Sequence, residues 1–453
     1  MLLPAPVFAH GLVGRADLPI PKSLFAAAAA TVLVVSFLAL ATLWSTPRLQ
    51  ELRERRMFRL PVVVDAVLGL VGVLAFGASV YAGLAGTDAE QDNLAPTVVF
   101  VLLWVGVPFA SLVFGDVFRL LSPWRAIGRV VGSVVARVAP AEPLDYPERL
   151  GRWPAMAGIF FFGVVELCWA AGREPQTLAI LGLLYLVTMF VGMSLYGVEP
   201  WTRKADPFGV YFGIFASLAP VTRCDGVLYA RPPVVGAIKL APLPGTVALV
   251  IASIGITAFD GGSEGTVFNS IAPHLQDFFH SLGFDIARAL ELTFLLGLSV
   301  TVLLVTAIYW GAIWGMGQQG LRRPMTRIEL GRSFAHTLVP IAAAYVVAHY
   351  FSLLAYNGQD IVRLISDPLG DGSDLFGGAD RRIDYSVVSA TAIWYAQVGS
   401  LVIGHVCALV LGHDRALALY EDPKAGTRSQ IVMLILMVCF TCLGLYLLSA
   451  SNQ

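Results

Sequence analysis

Tyr345, His349 and Tyr350 share one long apolar run of the sequence; Gln397, Ser400 and His405 share another, and Glu166 and Asp116 sit in two more. A titratable group in hydrocarbon costs several kcal/mol unless it is paired or neutral, so such side chains are candidates for function. With a helical rise of ~1.5 Å per residue, His349 and Glu166 both lie roughly 20 Å from the cation-rich ends of their helices. Gln397 and Ser400 fall within ~5 Å of that layer, while His405 and Asp116 lie lower, at ~12 Å. Carboxylate, imidazole, phenol and amide are thus brought to related heights, and three uses are open. Two imidazoles with a carboxylate suit zinc, copper or another first-row divalent ion, with His349 and His405 joined by Asp116 or Glu166 and a position left for water. Such an ion draws the water's pKa toward ~7 and yields a hydroxide nucleophile. A Glu166–His349 pair could instead relay protons. In the third use, each group is hydrogen-bonded separately within the bundle and does no chemistry.

Further candidates lie at the ends of the runs. His336, His413 and Asp414 are weaker metal ligands at an interface where polar groups cost little, and Asp65 is expected to pair with an arginine of the loop before it. His274, Asp277 and His280, at i, i+3 and i+6, cover about 120° of a helix and could share a surface metal, although a solvated amphipathic face is the preferred reading. Asp367, Asp371 and Asp374 stand in the Gly-rich stretch Gly358–Tyr385. Their spacing is not that of an EF-hand, so a hydrated lid between the eighth and ninth runs is preferred to a calcium site. Removal of the signal-like Met1–Ala9 would make His10 amino-terminal, a possible copper chelator. The five cysteines make no disulfide framework, and Cys439 and Cys442 lie in an apolar segment. No P-loop, dinucleotide fingerprint, His-Glu-x-x-His or nucleophile elbow is present.

The elements that must position these groups follow from composition. Of 453 residues, 57% are apolar and only 13% charged, against a usual quarter charged. A soluble enzyme, a disordered chain and a nucleic-acid binder are excluded; the expectation is an all-α polytopic transmembrane bundle whose first partner is the lipid bilayer. Ten runs approach the ~20 residues needed to span: Leu24–Trp44, Pro61–Gly86, Pro96–Leu121, Trp153–Gly172, Thr177–Glu199, Leu243–Gly262, Ala287–Met316, Phe334–Asn357, Ser386–Gly412 and Ile431–Ala450. Alternate connections hold 23 of the 30 Lys and Arg, which assigns them to the cytoplasm and both termini to the outside. Residues 1–23 then form an external, signal-like segment and 24–453 one helical domain, with outer loops at 263–286 and 358–385. Two basic or aromatic stretches, 122–139 and 206–218, read as amphipathic helices at the inner headgroup layer.

Several stretches together resemble a known family. They are AHGLVGRADLPIP (9–21), GDVFRLLSPWRA (115–126), FAHTLVPIAAAYVVAHYFSLL (334–354), SDPLGDGSDLFG (366–377) and IWYAQVGSLVIGHVCALVLGHDRALALY (393–420). They are similar to bacterial multispan membrane proteins called fenitrothion hydrolases. The resemblance implies a plasma-membrane location and cleavage of a lipophilic phosphotriester, with His336, His349, His405, His413 and Asp414 as the positions of interest. For such an enzyme, His349 and His405 would hold the ion, Glu166 or Asp116 would complete it, and Tyr345 or Tyr350 would donate to the phosphoryl oxygen. The alternatives are a transporter of a metal ion or proton-coupled solute, and a membrane assembly subunit.

Overall fold

The computed structural model describes residues 22–51, 53–138, 142–317 and 320–450. The signal-like start and His10 lie outside them. Apart from three short strands, the elements are helices. The long ones are α1 (Lys22–Leu43), α2 (Val62–Ala85), α3 (Leu94–Phe114), α5 (Trp153–Leu167), α6 (Pro175–Tyr196), α9 (Thr246–Ser263), α11 (Ile286–Gly315), α13 (Val339–Asn357), α15 (Ala390–Leu419) and α16 (Pro423–Ala450). Between them lie α4 (Pro123–Val138), α7 (Val198–Lys204), α8 (Pro207–Ala216), α10 (Thr266–Ser281), α12 (Arg327–Phe334) and α14 (Ile361–Ser366). Among the described residues, eight helical segments are long and apolar enough to cross a membrane. The first and fourth expected runs are represented by shorter apolar helices, Ala27–Leu43 and Trp153–Leu167. The latter, at ~22 Å, falls short of a ~30 Å hydrocarbon layer.

Local chemistry sets where helices begin. Asp285 accepts from the Arg288 N–H to start α11, and Ser389 accepts from Ala392 to start α15. Thr326 and Glu329 form a reciprocal capping box at the head of α12. Within α3, residues Thr97–Gly106 wind as a π-helix, with the Val107 N–H reaching back to the Leu102 carbonyl. This run stops where Pro108 lacks the N–H that an α-helix would aim at the Trp104 carbonyl.

The connections gather at two ends. At the cation-rich end, β1 (Arg55–Arg59) pairs antiparallel with β3 (Val227–Ala230), which pairs with β2 (Val221–Cys224). Asp65 meets Arg223 of β2 at 2.6 Å, a partner from this sheet and not an arginine of the loop before it. Lys239 meets Glu54 at 3.0 Å, and Leu321 bridges to Tyr420. At the opposite end, Arg173 meets Glu90 at 3.2 Å and Arg363 meets Asp92 at 3.1 Å. There the Gly-rich loop docks on the α2–α3 connection, with the Thr87 N–H on the Leu369 carbonyl.

Two helices of the cation-rich half differ from each other. α4 is amphipathic, with Val130, Val131, Val134 and Val135 exposed along one side. α8 is not: Tyr211, Phe212 and Phe215 are almost fully enclosed, and the helix packs among α3, α5, α7 and α13. The expectation of a surface helix at 206–218 is corrected here. A segment apolar on every face has no polar side to leave in water and is drawn inside.

Candidate functional site

α9 is the most enclosed long helix together with α13, and it is flanked by α5, α11 and α13. Small residues permit this crowding. A Cβ on Gly255 would lie 2.6 Å from a Val302 methyl of α11, and one on Gly261 would lie 3.3 Å from the Nδ1 of His349. Next to Gly261 stands Asp260, 6% exposed. Its Oδ2 lies 2.7 Å from His349 Nε2 and accepts the Tyr350 hydroxyl at 2.8 Å. The Trp104 indole, brought in by the π-helical part of α3, donates to the Tyr350 oxygen at 3.4 Å. The Asp260 oxygen thus gathers the imidazole of His349 and the phenol of Tyr350 at one enclosed point between α9 and α13.

Glu166 of α5 stands within electrostatic reach of Asp260, Tyr350, Tyr211 and Arg173. Its Oε2 is enclosed and has no hydrogen-bond partner among the described residues. The Tyr211 ring from α8 stacks on Trp104, with centroids 5.0 Å apart and planes 15° apart. α8 therefore touches this cluster with Tyr211, while its Gly209, Val210, Gly213 and Ile214 line a cleft at the cation-rich end.

The other expected residues are placed elsewhere. α13 divides them: His349 and Tyr350 turn toward α9 and α3, whereas the Tyr345 hydroxyl donates to the Phe440 carbonyl of α16. His405 Nδ1 bonds the Leu401 carbonyl of its own helix at 2.7 Å, and its Nε2 is enclosed without a partner among the described residues. Ser400 donates to the Gln397 carbonyl of its own helix at 2.8 Å and reaches the Ala344 carbonyl of α13 at 3.4 Å, so this part of the supposed layer serves the α13–α15 contact. Asp116 takes the Arg119 N–H beside the cation-rich cleft. His336 is buried, its Nε2 without a hydrogen-bond partner among the described residues.

His413 Nε2 meets the Trp44 carbonyl at 2.9 Å. Asp414, fully enclosed, accepts from Trp44 Nε1, the Arg48 and Leu49 N–H groups and Gln50 Nε2. These two residues pin the segment after α1 to the end of α15. His274, Asp277 and His280 lie along α10, where His280 Nδ1 pairs with the Phe284 carbonyl. In the Gly-rich loop, Asp367 accepts from the N–H groups of Asp371 and Gly372 and from the Ser373 hydroxyl. Asp371 and Asp374 likewise accept from Ser373 and Ala379.

A first-row metal needs three or four convergent donors. Among the described residues, no group of three or more His, Cys, Asp or Glu side chains converges in that way. His405 is turned to its own helix, Asp116 to Arg119 and His349 to Asp260, so the expected donors do not fit such an ion. Asp260 was not among the expected residues. Its signal was available: it lies ~21 Å along its helix from Thr246, the height of Glu166 and His349. It stands three residues before the end of α9, where a span gives way to its connection. Comparison with family models, curated proteins and solved structures finds no match to this chain.

Proposed function

We propose that the protein is a proton-coupled transporter of the bacterial plasma membrane, crossing it ten times with both termini outside. One observation carries the reading: inside bilayer-length helices, a single carboxylate oxygen of Asp260 holds both His349 and Tyr350. Buried carboxylate–imidazole pairs are the usual parts of intramembrane proton relays. Each proton taken up at His349, Asp260 or the neighbouring Glu166 changes the charge of an apolar interior by one, which drives rearrangement of the helices that hold it. α8 supports a moving part, because at ~15 Å it is half a membrane long and lies between this cluster and the cation-rich cleft. The two-ended gathering of the connections supports the ten crossings, and the cation excess supports the direction.

In this mechanism Asp260 orients His349 and stabilises its imidazolium, Tyr350, itself held by the Trp104 indole, keeps the Asp260 oxygen in place, and Glu166 exchanges the proton with the pair. The solute is a small molecule or ion. The phosphotriester hydrolysis implied by the family resemblance rests on hydroxide formation by a metal, and the residues expected to hold that ion do not converge. Purified protein in vesicles with an interior pH dye, under an imposed inside-negative potential, tests the proposal. Proton entry is expected in the wild type and at least tenfold less in Asp260→Asn. Equal entry in both, with turnover of a chromogenic phosphotriester by the wild type alone, would replace transport by hydrolysis.

A further inference from the structure

The cleft at the cation-rich end measures ≈ 220 Å³ and is lined by Arg119, Arg125, Arg152 and Arg203, with Ser122 and Thr202 between them. Glu199 is shared by three of these guanidiniums: Arg119, Arg125 at 2.7 Å and Arg203 at 3.8 Å. Asp116 and Asp206 also face the cleft. Asp206 is already held by Trp124 Nε1 at 2.7 Å, the Tyr185 hydroxyl at 2.5 Å and the Gly209 N–H at 3.1 Å. Asp116 takes the Arg119 N–H at 3.2 Å. Four guanidiniums against three carboxylates leave a surplus of positive charge.

That surplus is localised at Arg152. Its Nη1 reaches the Thr246 hydroxyl at 3.1 Å and the Ala241 carbonyl at 3.4 Å, both uncharged acceptors. Its Nε, like that of Arg125, is enclosed and has no hydrogen-bond partner among the described residues. Burial draws the Arg152 guanidinium down to about 10, with no carboxylate to offset it. Guanidinium forks converging from several directions match the oxygens of a tetrahedral anion. The volume lies below the ~300 Å³ of pockets for drug-sized ligands, so the occupant is small or only the head of a larger molecule.

We infer that this cleft binds a phosphate-type oxyanion through Arg152, Arg125 and Arg203. This binding does not depend on the proton relay. Two sources share the chemistry: free phosphate, and the phosphoryl headgroup of an anionic lipid in the leaflet beside α4, whose helix begins at the cleft.

The test uses full-length protein. Thermal unfolding in detergent is followed with potassium phosphate against potassium chloride at equal ionic strength. Retained phospholipid is followed by mass spectrometry from vesicles of phosphatidylcholine with and without phosphatidylglycerol. A rise in midpoint with phosphate identifies the soluble anion, and selective retention of phosphatidylglycerol identifies the headgroup. In either arm, Arg152→Gln is expected to weaken binding at least tenfold. Arg203→Gln, at an exposed side chain, is expected to weaken it severalfold and serves where the first variant does not fold. Wild-type protein that binds neither, or binding unchanged in the folded variants, overturns the inference.

Discussion

Two donors meet at Asp260 Oδ2, and they are not equivalent. Tyr350 supplies a neutral hydrogen bond, and such bonds inside membrane proteins average ~0.6 kcal/mol. Tyr350→Phe is therefore expected to cost about 1 kcal/mol in thermal unfolding while leaving the His349–Asp260 pair in place. His349→Ala leaves a buried carboxylate without its imidazole and is expected to cost several times more; equal costs would show that the pair carries no charge. Asp414 is a second enclosed carboxylate with a different task. Asp414→Ala strands four donors of the segment 44–50, at a cost of roughly 3 kcal/mol, and should release that segment to protease. Unchanged protection of the segment would contradict this role. Both readings show what a linear sequence conceals. The height of His349, Glu166 and Asp260 was legible from helical rise, but the direction each side chain faces depends on helix adjacency. Tyr345 and Tyr350, both on α13, thus looked like partners and face different neighbours.

At the level of elements, close backbone approach decides which helices touch. α13 and α15 meet at Gly404, where a Cβ would stand 2.4 Å from the Ala344 Cβ and 2.7 Å from the Pro340 carbonyl oxygen. Gly404→Val must push these helices apart and is expected to destabilise the fold by about 1–3 kcal/mol in denaturant titration, whereas Gly399→Ala, in open space, should not. The Gly-rich loop makes its own prediction. Partial burial works against charge on Asp367, but donations from Gly372, Asp371 and Ser373 outweigh it and hold its pKa below the usual aspartate value. Its contribution is thus present above the unfolded value of ~3.9 and is lost as pH falls through the lower folded value. Protection of the Gly372 amide from hydrogen exchange is expected to follow that course and to be absent in Asp367→Ala; protection that persists in Asp367→Ala would exclude the carboxylate as its cause. Helix positions were legible because uncharged length is a strong signal. The burial of α8 was not, because its ten residues suit a membrane surface and an interior equally until the neighbours are known.

For the whole molecule, the proposed direction rests on the segregation of cations and makes a prediction at each of the two ends. Cys224 lies exposed at the end of β2 and Ser373 in the loop at the opposite end. In variants retaining one cysteine each, a membrane-impermeant maleimide applied to intact cells is expected to label Ser373→Cys and to reach Cys224 only after permeabilisation. The reverse pattern would invert the molecule.

The central claim is that Asp260 and His349 act as one proton-handling unit, and a double-mutant comparison of charge movement addresses it most directly. Wild type, Asp260→Asn, His349→Gln and the double variant are each reconstituted on a supported membrane, and the transient current after a rapid pH jump is recorded. A unit predicts a transient in the wild type, its loss in either single variant and no further loss in the double one. Transients of wild-type size in both single variants, or losses that simply add, would contradict it.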